Sequence, residues 1–190
     1  MSPVQLRGVT LGEGRTKVIV PITASTSEEL VTQATTLAGV KPDIIEWRVD
    51  FLDAAPSPAA VLEAAAQIRT AARDRPVLFT FRSHHENGNK PITPDEYHDL
   101  NIAAIASGLV DAVDVEHRFE RSVGDAIIAA AKNAGVPVIG SLHDFTATPP
   151  AEDLVRRLVE MQERGCAVAK AAVMPKNTGD VLQLMEATWT

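Results

Sequence analysis

The sequence predicts an α/β protein built on a parallel sheet, a (β/α)8 TIM barrel of which about six βα units are present in the chain. Three observations carry that reading. Short β-branched runs alternate with longer helical stretches all along the 190 residues, which implies a parallel sheet with helices as its crossovers. No glycine-rich turn follows the first strand, which ends Pro21-Ile22-Thr23-Ala24-Ser25, and this argues against a doubly wound nucleotide binder. Finally, one face of the strands is apolar throughout, while the other becomes polar toward their C-terminal ends. A parallel sheet covered on both faces should be apolar on both. A barrel with helices outside and an active site in its upper interior gives the mixed pattern instead.

In chain order, residues 18–23 form the first expected strand, with Pro21 tolerable at a bulge or strand end. A helix over 27–38 follows, capped by Ser27, with Glu28 and Glu29 in its first turn and Gly39 at its left-handed close. The strand over 44–49 points Ile44, Glu46 and Arg48 one way and Ile45, Trp47 and Val49 the other. After a helix over 58–72, the strand over 77–82 sets Thr80 and Arg82 opposite Phe79 and Phe81. A helix over 94–107 leads to the strand over 112–116, where Asp114 and Glu116 alternate with Val113 and Val115. The helix over 123–133 is closed by Gly135, and the strand over 136–143 places Ser141 and His143 on one face. Pro150 suits the first turn of the helix over 151–164, which Gly165 terminates. The last strand, over 167–174, adds Lys170 before a helix over 180–188. The opening residues, with Gly8, Gly12 and Gly14, are expected to be a strand-poor lead-in or a plug over the barrel bottom. No linker or composition shift divides the chain, so residues 1–190 are read as a single, truncated barrel domain.

Composition narrows the function. With 45% hydrophobic and 23% charged residues the chain is ordinary for a globular domain. Its net charge of −7 and lack of a basic run argue against nucleic acid as a partner. No apolar run has the length of a membrane span, and the N-terminus has no signal-type apolar core, so the expected address is cytoplasmic. Cys166 is the one cysteine, which excludes an internal disulfide and fits a small core residue.

Lys170 is the most telling residue. It interrupts the run Ala167-Val168-Ala169-Lys170-Ala171-Ala172-Val173-Met174, which reads as a buried strand. Burial removes the hydration that favours an ammonium, lowers the lysine pKa and prepares a nucleophilic amine for Schiff-base formation with a ketone. Glu46, Arg48, Arg82, Glu116 and His143 share its parity and its end of the strands, so they should converge on one pocket. Buried charges there require carboxylate–guanidinium pairing. Arg48 and Arg82 offer forked donors for a carboxylate or hydroxyls, and His143 can move a proton near neutral pH. Together these groups suit Schiff-base chemistry on a ketone that carries an acidic group, with proton abstraction beside the carbonyl. Elsewhere, His84 and His85 beside Glu86 form a solvated loop in preference to a metal site. His98 reads as an exposed helix residue, and His117 as facing the mouth rim or a helix. Ser141 lacks the surroundings of a hydrolase nucleophile.

The motifs Glu46-Trp47-Arg48-Val49-Asp50, Thr80-Phe81-Arg82-Ser83 with Glu86 close behind, Asp114-Val115-Glu116, Ser141-Leu142-His143-Asp144-Phe145 and Lys170-Ala171-Ala172-Val173-Met174-Pro175 resemble type I 3-dehydroquinate dehydratase, continuously from about Lys17 onward. The resemblance implies a hydro-lyase of the shikimate pathway of aromatic amino acid biosynthesis that turns 3-dehydroquinate into 3-dehydroshikimate and needs neither metal nor cofactor. It further implies that Lys170 forms the Schiff base, that His143 is the acid–base and that Glu86 orients His143. Glu46, Arg48 and Arg82 are implied to hold the substrate's polar groups. A homodimer is the implied assembly. The chain departs from the family in length: strands seven and eight, an arginine that grips the substrate carboxylate and a Ser/Gln-bearing lid are expected to be missing, as in a fragment of a longer protein. A class I aldolase and a catalytically silent ligand-binding or assembly module are the alternative readings.

Overall fold

The computed structural model describes residues 3–189, and its main feature is a curved parallel sheet that forms an open arc of a barrel. Two short strands, β1 (Val4–Leu6) and β2 (Val9–Leu11), precede it. The arc then alternates β3 (Ile19–Ile22), α1 (Ser27–Val40), β4 (Ile44–Arg48), α2 (Pro58–Ala72), β5 (Val77–Thr80), α3 (Pro94–Ser107), β6 (Ala112–Glu116), α4 (Arg121–Ala134), β7 (Val138–Asp144), α5 (Ala151–Glu163), β8 (Val168–Val173) and α6 (Thr178–Trp189). The sheet order β3-β4-β5-β6-β7-β8 follows the chain, and every pairing is parallel. The outer limits expected for the domain, residues 1 and 190, lie outside the described residues.

Strand parity separates two cores. Ile45, Trp47, Val77, Phe79, Val113, Val115, Val138 and Leu142 face outward and pack under the helices with Leu30, Val61, Ile68, Leu100 and Ile127. Trp47 meets Phe79 edge to face at 5.6 Å, the favourable arrangement of two ring quadrupoles. Facing inward at the lower ends of the strands, Ile44, Leu78, Ala112 and Ile139 form a second, smaller core with Leu6 and Val9. The helices thus fix the outside of the sheet and leave the upper interior free for polar groups.

The opening residues do plug the bottom of the arc, but they do so as an antiparallel hairpin where a strand-poor lead-in was one expectation. Leu6 pairs with Val9 across Arg7 and Gly8, and Arg7 takes the positive φ of 49° that tight two-residue turns need. Strands of this length show too little alternation to be read from sequence. Arg7 Nε also binds Asp111 Oδ1 at 2.6 Å, and Arg69 holds the other oxygen at 2.7 Å, which fastens the hairpin to the floor.

Helix ends correct two smaller expectations. Thr26, and not Ser27, caps α1, with its hydroxyl accepting from the Glu29 amide at 3.3 Å. Gly39 lies inside α1, and Lys41 takes the left-handed close at φ 62°. At the end of α5 the expectation holds, since Gly165 takes a positive φ of 102° directly after the cap residue Arg164. The strand expected over 77–82 stops at Thr80, so Arg82 leads into a loop.

Leu6 is fully buried between the hairpin and the strand ends. Leu6→Ala is therefore expected to lower unfolding free energy by about 2–5 kcal/mol, and Leu6→Met by less than about 1.5 kcal/mol. Urea midpoints of the three proteins check this, and equal midpoints would show that the hairpin is not integral to the core.

Candidate active site

Parallel register lines up the inward polar residues. Arg48 pairs with Thr80, Glu116 with Ser141, and Ser141 with Lys170. His143, two residues further along β7, lies on the same face as Ser141 and pairs with Ala172. The strand-end groups thus meet at the C-terminal mouth of the arc, where loops and strand ends build the sites of such barrels.

Arg82 is the centre of the site. Only 3% exposed, it gives Nη1 to Glu86 Oε2 at 3.1 Å, Glu116 Oε1 at 2.9 Å and Ser141 Oγ at 3.0 Å, while Nη2 binds Asp114 Oδ1 at 2.9 Å. Burial works against its charge, yet Asp114, Glu116 and Glu86 together hold its pKa above the usual guanidinium value. The carboxylates respond unequally. Burial pushes Asp114 upward, but Arg82, Lys170 and the Ser141 hydroxyl outweigh it, so Asp114 stays below the usual carboxylate range. Burial prevails at Glu116, whose pKa is raised although Arg82 and Ser83 favour its charged form. Ser83 gives Glu116 both its amide, at 2.8 Å, and its hydroxyl, at 2.6 Å.

The segment after Arg82 turns back as a short helical turn over His84–Glu86 and carries Glu86 into the interior. Gly88 makes that turn possible. Its amide binds the Ser83 carbonyl at 2.8 Å, and a Cβ placed there would run into the Arg82 carbonyl. Glu86 Oε2 then accepts from His143 Nδ1 at 2.7 Å, the Nδ1 carrying its hydrogen toward the carboxylate. This leaves Nε2 as the unprotonated nitrogen of the neutral ring, the tautomer a base needs. Phe145 stacks on the imidazole at 6.0 Å between centroids.

Arg48 and Glu46 sit at the opposite wall. Glu46 accepts from the Thr80 hydroxyl at 2.9 Å. Arg48 makes a two-pronged pair with buried Asp50, 2.8 Å on each side, and lies 5.1 Å over the Phe51 ring. Asp50 also accepts from the amides of Arg82, at 3.3 Å, and Asn89, at 2.9 Å, so it ties this wall to the Arg82 loop. Sequence reasoning gave no role to Asp50 or Asp114, although both stand in motifs it singled out. Their signal was available: each is a carboxylate beside inward-facing cations.

Lys170 departs from expectation in one respect. Its side chain is 36% exposed, because β8 is an edge strand among the described residues and no strand covers its far side. The amine still faces the interior and lies 3.8 Å from Asp114 Oδ2. The remaining histidines stay apart from this cluster. His84 and His85 are exposed, and His117 Nε2 approaches Glu160 of α5 at 3.5 Å. Among the described residues no group of His, Cys, Asp and Glu is arranged to hold a metal. Cys166 is buried in the outer core, which raises its thiol pKa to about 11 and makes it unreactive. Among the described residues no helix is long and apolar enough to cross a membrane.

Comparison with known proteins gives one answer. The family model for type I 3-dehydroquinase matches residues 18–190. A 3-dehydroquinate dehydratase of Bacillus licheniformis is 42% identical over 187 residues, covering 98% of this chain and 74% of its own. One from Clostridioides difficile is 44% identical over 185 residues, covering 97% and 72%. A crystal structure of type I 3-dehydroquinate dehydratase from Clostridium difficile, solved with covalent modified comenic acid, superposes with a TM-score of 0.96 at 43% identity over 98% of this chain and 74% of its own. A 3-hexulose-6-phosphate synthase matches at a TM-score of 0.59 and 19% identity, a likeness of fold alone.

Arg82→Met removes the one guanidinium shared by the buried carboxylates. The variant is expected to lose about 3–5 kcal/mol of stability at neutral pH. Without Arg82, burial raises the folded-state pKa values of Asp114 and Glu116 above their unfolded values, so the folded variant binds more protons than the unfolded one. Stability then rises as pH falls, and the deficit should shrink between about pH 7 and about pH 5. Urea unfolding at both pH values measures it, and a deficit of equal size at both would rule out unpaired carboxylates as its cause.

Proposed function

Since the chain belongs to the type I 3-dehydroquinase family, we propose that it removes water from 3-dehydroquinate to give 3-dehydroshikimate through a Schiff base on Lys170. The observation that carries this reading is the pairing, on adjacent strands and one face, of an interior amine with an imidazole whose Nδ1 is anchored to a buried carboxylate. In this reading the Lys170 amine attacks the C3 ketone and, with loss of water, becomes an iminium. His143 Nε2 then takes a proton from C2, and the electrons of that C–H bond flow into the iminium to give an enamine. As the enamine electrons return, the C1 hydroxyl leaves, and the imidazolium supplies the proton that turns it into water. Hydrolysis of the remaining iminium frees the product and the lysine.

Glu86 serves His143 twice in this scheme. It fixes the ring by its 2.7 Å bond, and its negative charge stabilises the imidazolium formed midway. Arg48 and Glu46, both half-buried at the mouth, are suited to hold ring hydroxyls. Arg82 is assigned to the same group by the family resemblance, and its four interior bonds make it also the base on which Glu86 rests. The reading includes a cytoplasmic setting and a homodimer.

Borohydride together with 3-dehydroquinate is expected to add the mass of the reduced adduct to Lys170, and an unchanged protein mass would defeat the Schiff base. His143→Ala should still form the adduct, yet lose about 10²–10⁴-fold in turnover as read by the enone absorbance of the product. Turnover at the parent rate would remove His143 as the base. Sedimentation of the purified chain at the mass of two copies would support the dimer, and the mass of one would exclude it.

A further inference from the structure

Asp114 has a half-used carboxylate in a place where that is costly. Its side chain is fully buried on β6. Oδ1 is clamped by Arg82 Nη2 at 2.9 Å and by the Ser141 hydroxyl at 2.6 Å. Oδ2 is equally buried and accepts no hydrogen bond from any described residue. A buried acceptor without a donor is destabilising, so its persistence calls for a partner of another kind. What Oδ2 faces is Lys170 Nζ at 3.8 Å, beyond hydrogen-bond length but close for two charges. Strands β6 and β8 are alternate strands, whose inward side chains share a layer in a barrel of this type. The strand between them, β7, supplies the Ser141 clamp. The carboxylate is therefore fixed in rotation by groups other than the amine, and its second oxygen stays aimed at the nitrogen whether or not that nitrogen is bonded to a substrate.

We propose that Asp114 is the built-in counter-ion of the nitrogen that Lys170 carries once it has condensed with a ketone, and that it keeps the resulting imine protonated. This rests on the Schiff-base reading above. When the ammonium form of lysine meets a ketone, one N–C double bond forms, and the carbonyl oxygen departs with two of the nitrogen's hydrogens as water. The nitrogen retains one hydrogen and the positive charge. Removal of the neighbouring C–H proton sends an electron pair to that nitrogen and cancels its charge. A neutral imine draws the pair far less strongly, so loss of the nitrogen's proton stops the chemistry. A fixed negative charge at this distance in a poorly hydrated site opposes that loss.

The ionisable groups around Asp114 are Arg82 and Glu86 from the segment after β5, Tyr97 of α3, Glu116 on its own strand, His143 of β7, Cys166 just before β8 and Lys170 on it. Burial favours the protonated acid, but Arg82 and Lys170 dominate, so Asp114 is a carboxylate throughout the neutral range. Glu116 and Glu86 are bound to Arg82 and neither lies within ion-pair reach of Lys170. The counter-ion position therefore belongs to Asp114.

The test traps the iminium with cyanoborohydride and 3-dehydroquinate between about pH 6 and about pH 9, comparing the full chain with Asp114→Asn and Glu116→Gln. Adduct on Lys170 is counted by mass. Parent and both variants are expected to trap near pH 6. Near pH 9 the yield of Asp114→Asn should fall about tenfold below the parent, a shift of about one pK unit in the imine, while Glu116→Gln keeps the parent's profile. A profile for Asp114→Asn that superposes on the parent's would overturn the proposal. So would an equal shift in Glu116→Gln, which would reduce the effect to loss of any charge from the Arg82 cluster. Absence of adduct in the parent at every pH would instead overturn the Schiff-base reading. If Asp114→Asn does not fold, Asp114→Ser, whose hydroxyl can still accept from Arg82, takes its place with the same outcomes.

Discussion

One guanidinium, sealed from water, must be neutralised from several directions at once, and the upper half of this molecule is arranged around that requirement. Arg82 draws in Glu86 from a loop, Asp114 and Glu116 from β6 and Ser141 from β7. Each of the three carboxylates then performs a second task. Glu86 anchors the imidazole, Glu116 binds the loop start through Ser83, and Asp114 presents an oxygen to the amine. A buried ion network of this kind adds little net stability compared with apolar packing, but breaking it is expensive. Its value here is geometric: it sets loop, strand and strand in a single relation.

The apolar parts supply what the ion network cannot. The outer core under the helices and the smaller core at the hairpin hold the strands in register, so that residues two apart along a strand stay on one face. The transition from oil to charge occurs within single strands. On β4 it runs from Ile44 to Glu46 and Arg48, and on β6 from Ala112 to Asp114 and Glu116. The hairpin closes the lower end of the arc, and the polar groups accumulate at the other end.

This division explains how much could be read from sequence. Period-2 alternation is a local signal, and it gave the strands, their inward faces and the convergence of Glu46, Arg48, Arg82, His143 and Lys170. The helices were equally legible from spacing and punctuation, save that Thr26 displaced Ser27 as a cap and Gly39 proved to be interior. The hairpin escaped because three-residue strands alternate too briefly, and its burial depends on residues more than thirty positions away. The exposure of Lys170 follows from the expected lack of strands seven and eight, which leaves its strand at an edge, whereas its own run of residues gives the opposite signal. An apolar run reads as a buried strand, but whether a strand is central or at an edge is decided by its neighbours in the sheet and not by its own residues. Asp50 and Asp114 were visible as letters in motifs, while their tasks emerge only when the Arg48 fork and the Lys170 amine are placed beside them.

The close approach at Gly88 has an effect that reaches beyond its own turn. Because the chain there closes against the carbonyl of the very arginine that organises the interior, the stretch from 82 to 88 has no room for a side chain at its end. Lengthening it, or giving position 88 a side chain, would lever Glu86 outward and unseat the imidazole on β7, two strands away. His84 and His85, which point to solvent, can change without disturbing the circuit of the turn, whereas Asn87, at φ 59°, is restricted to residues that accept a left-handed backbone.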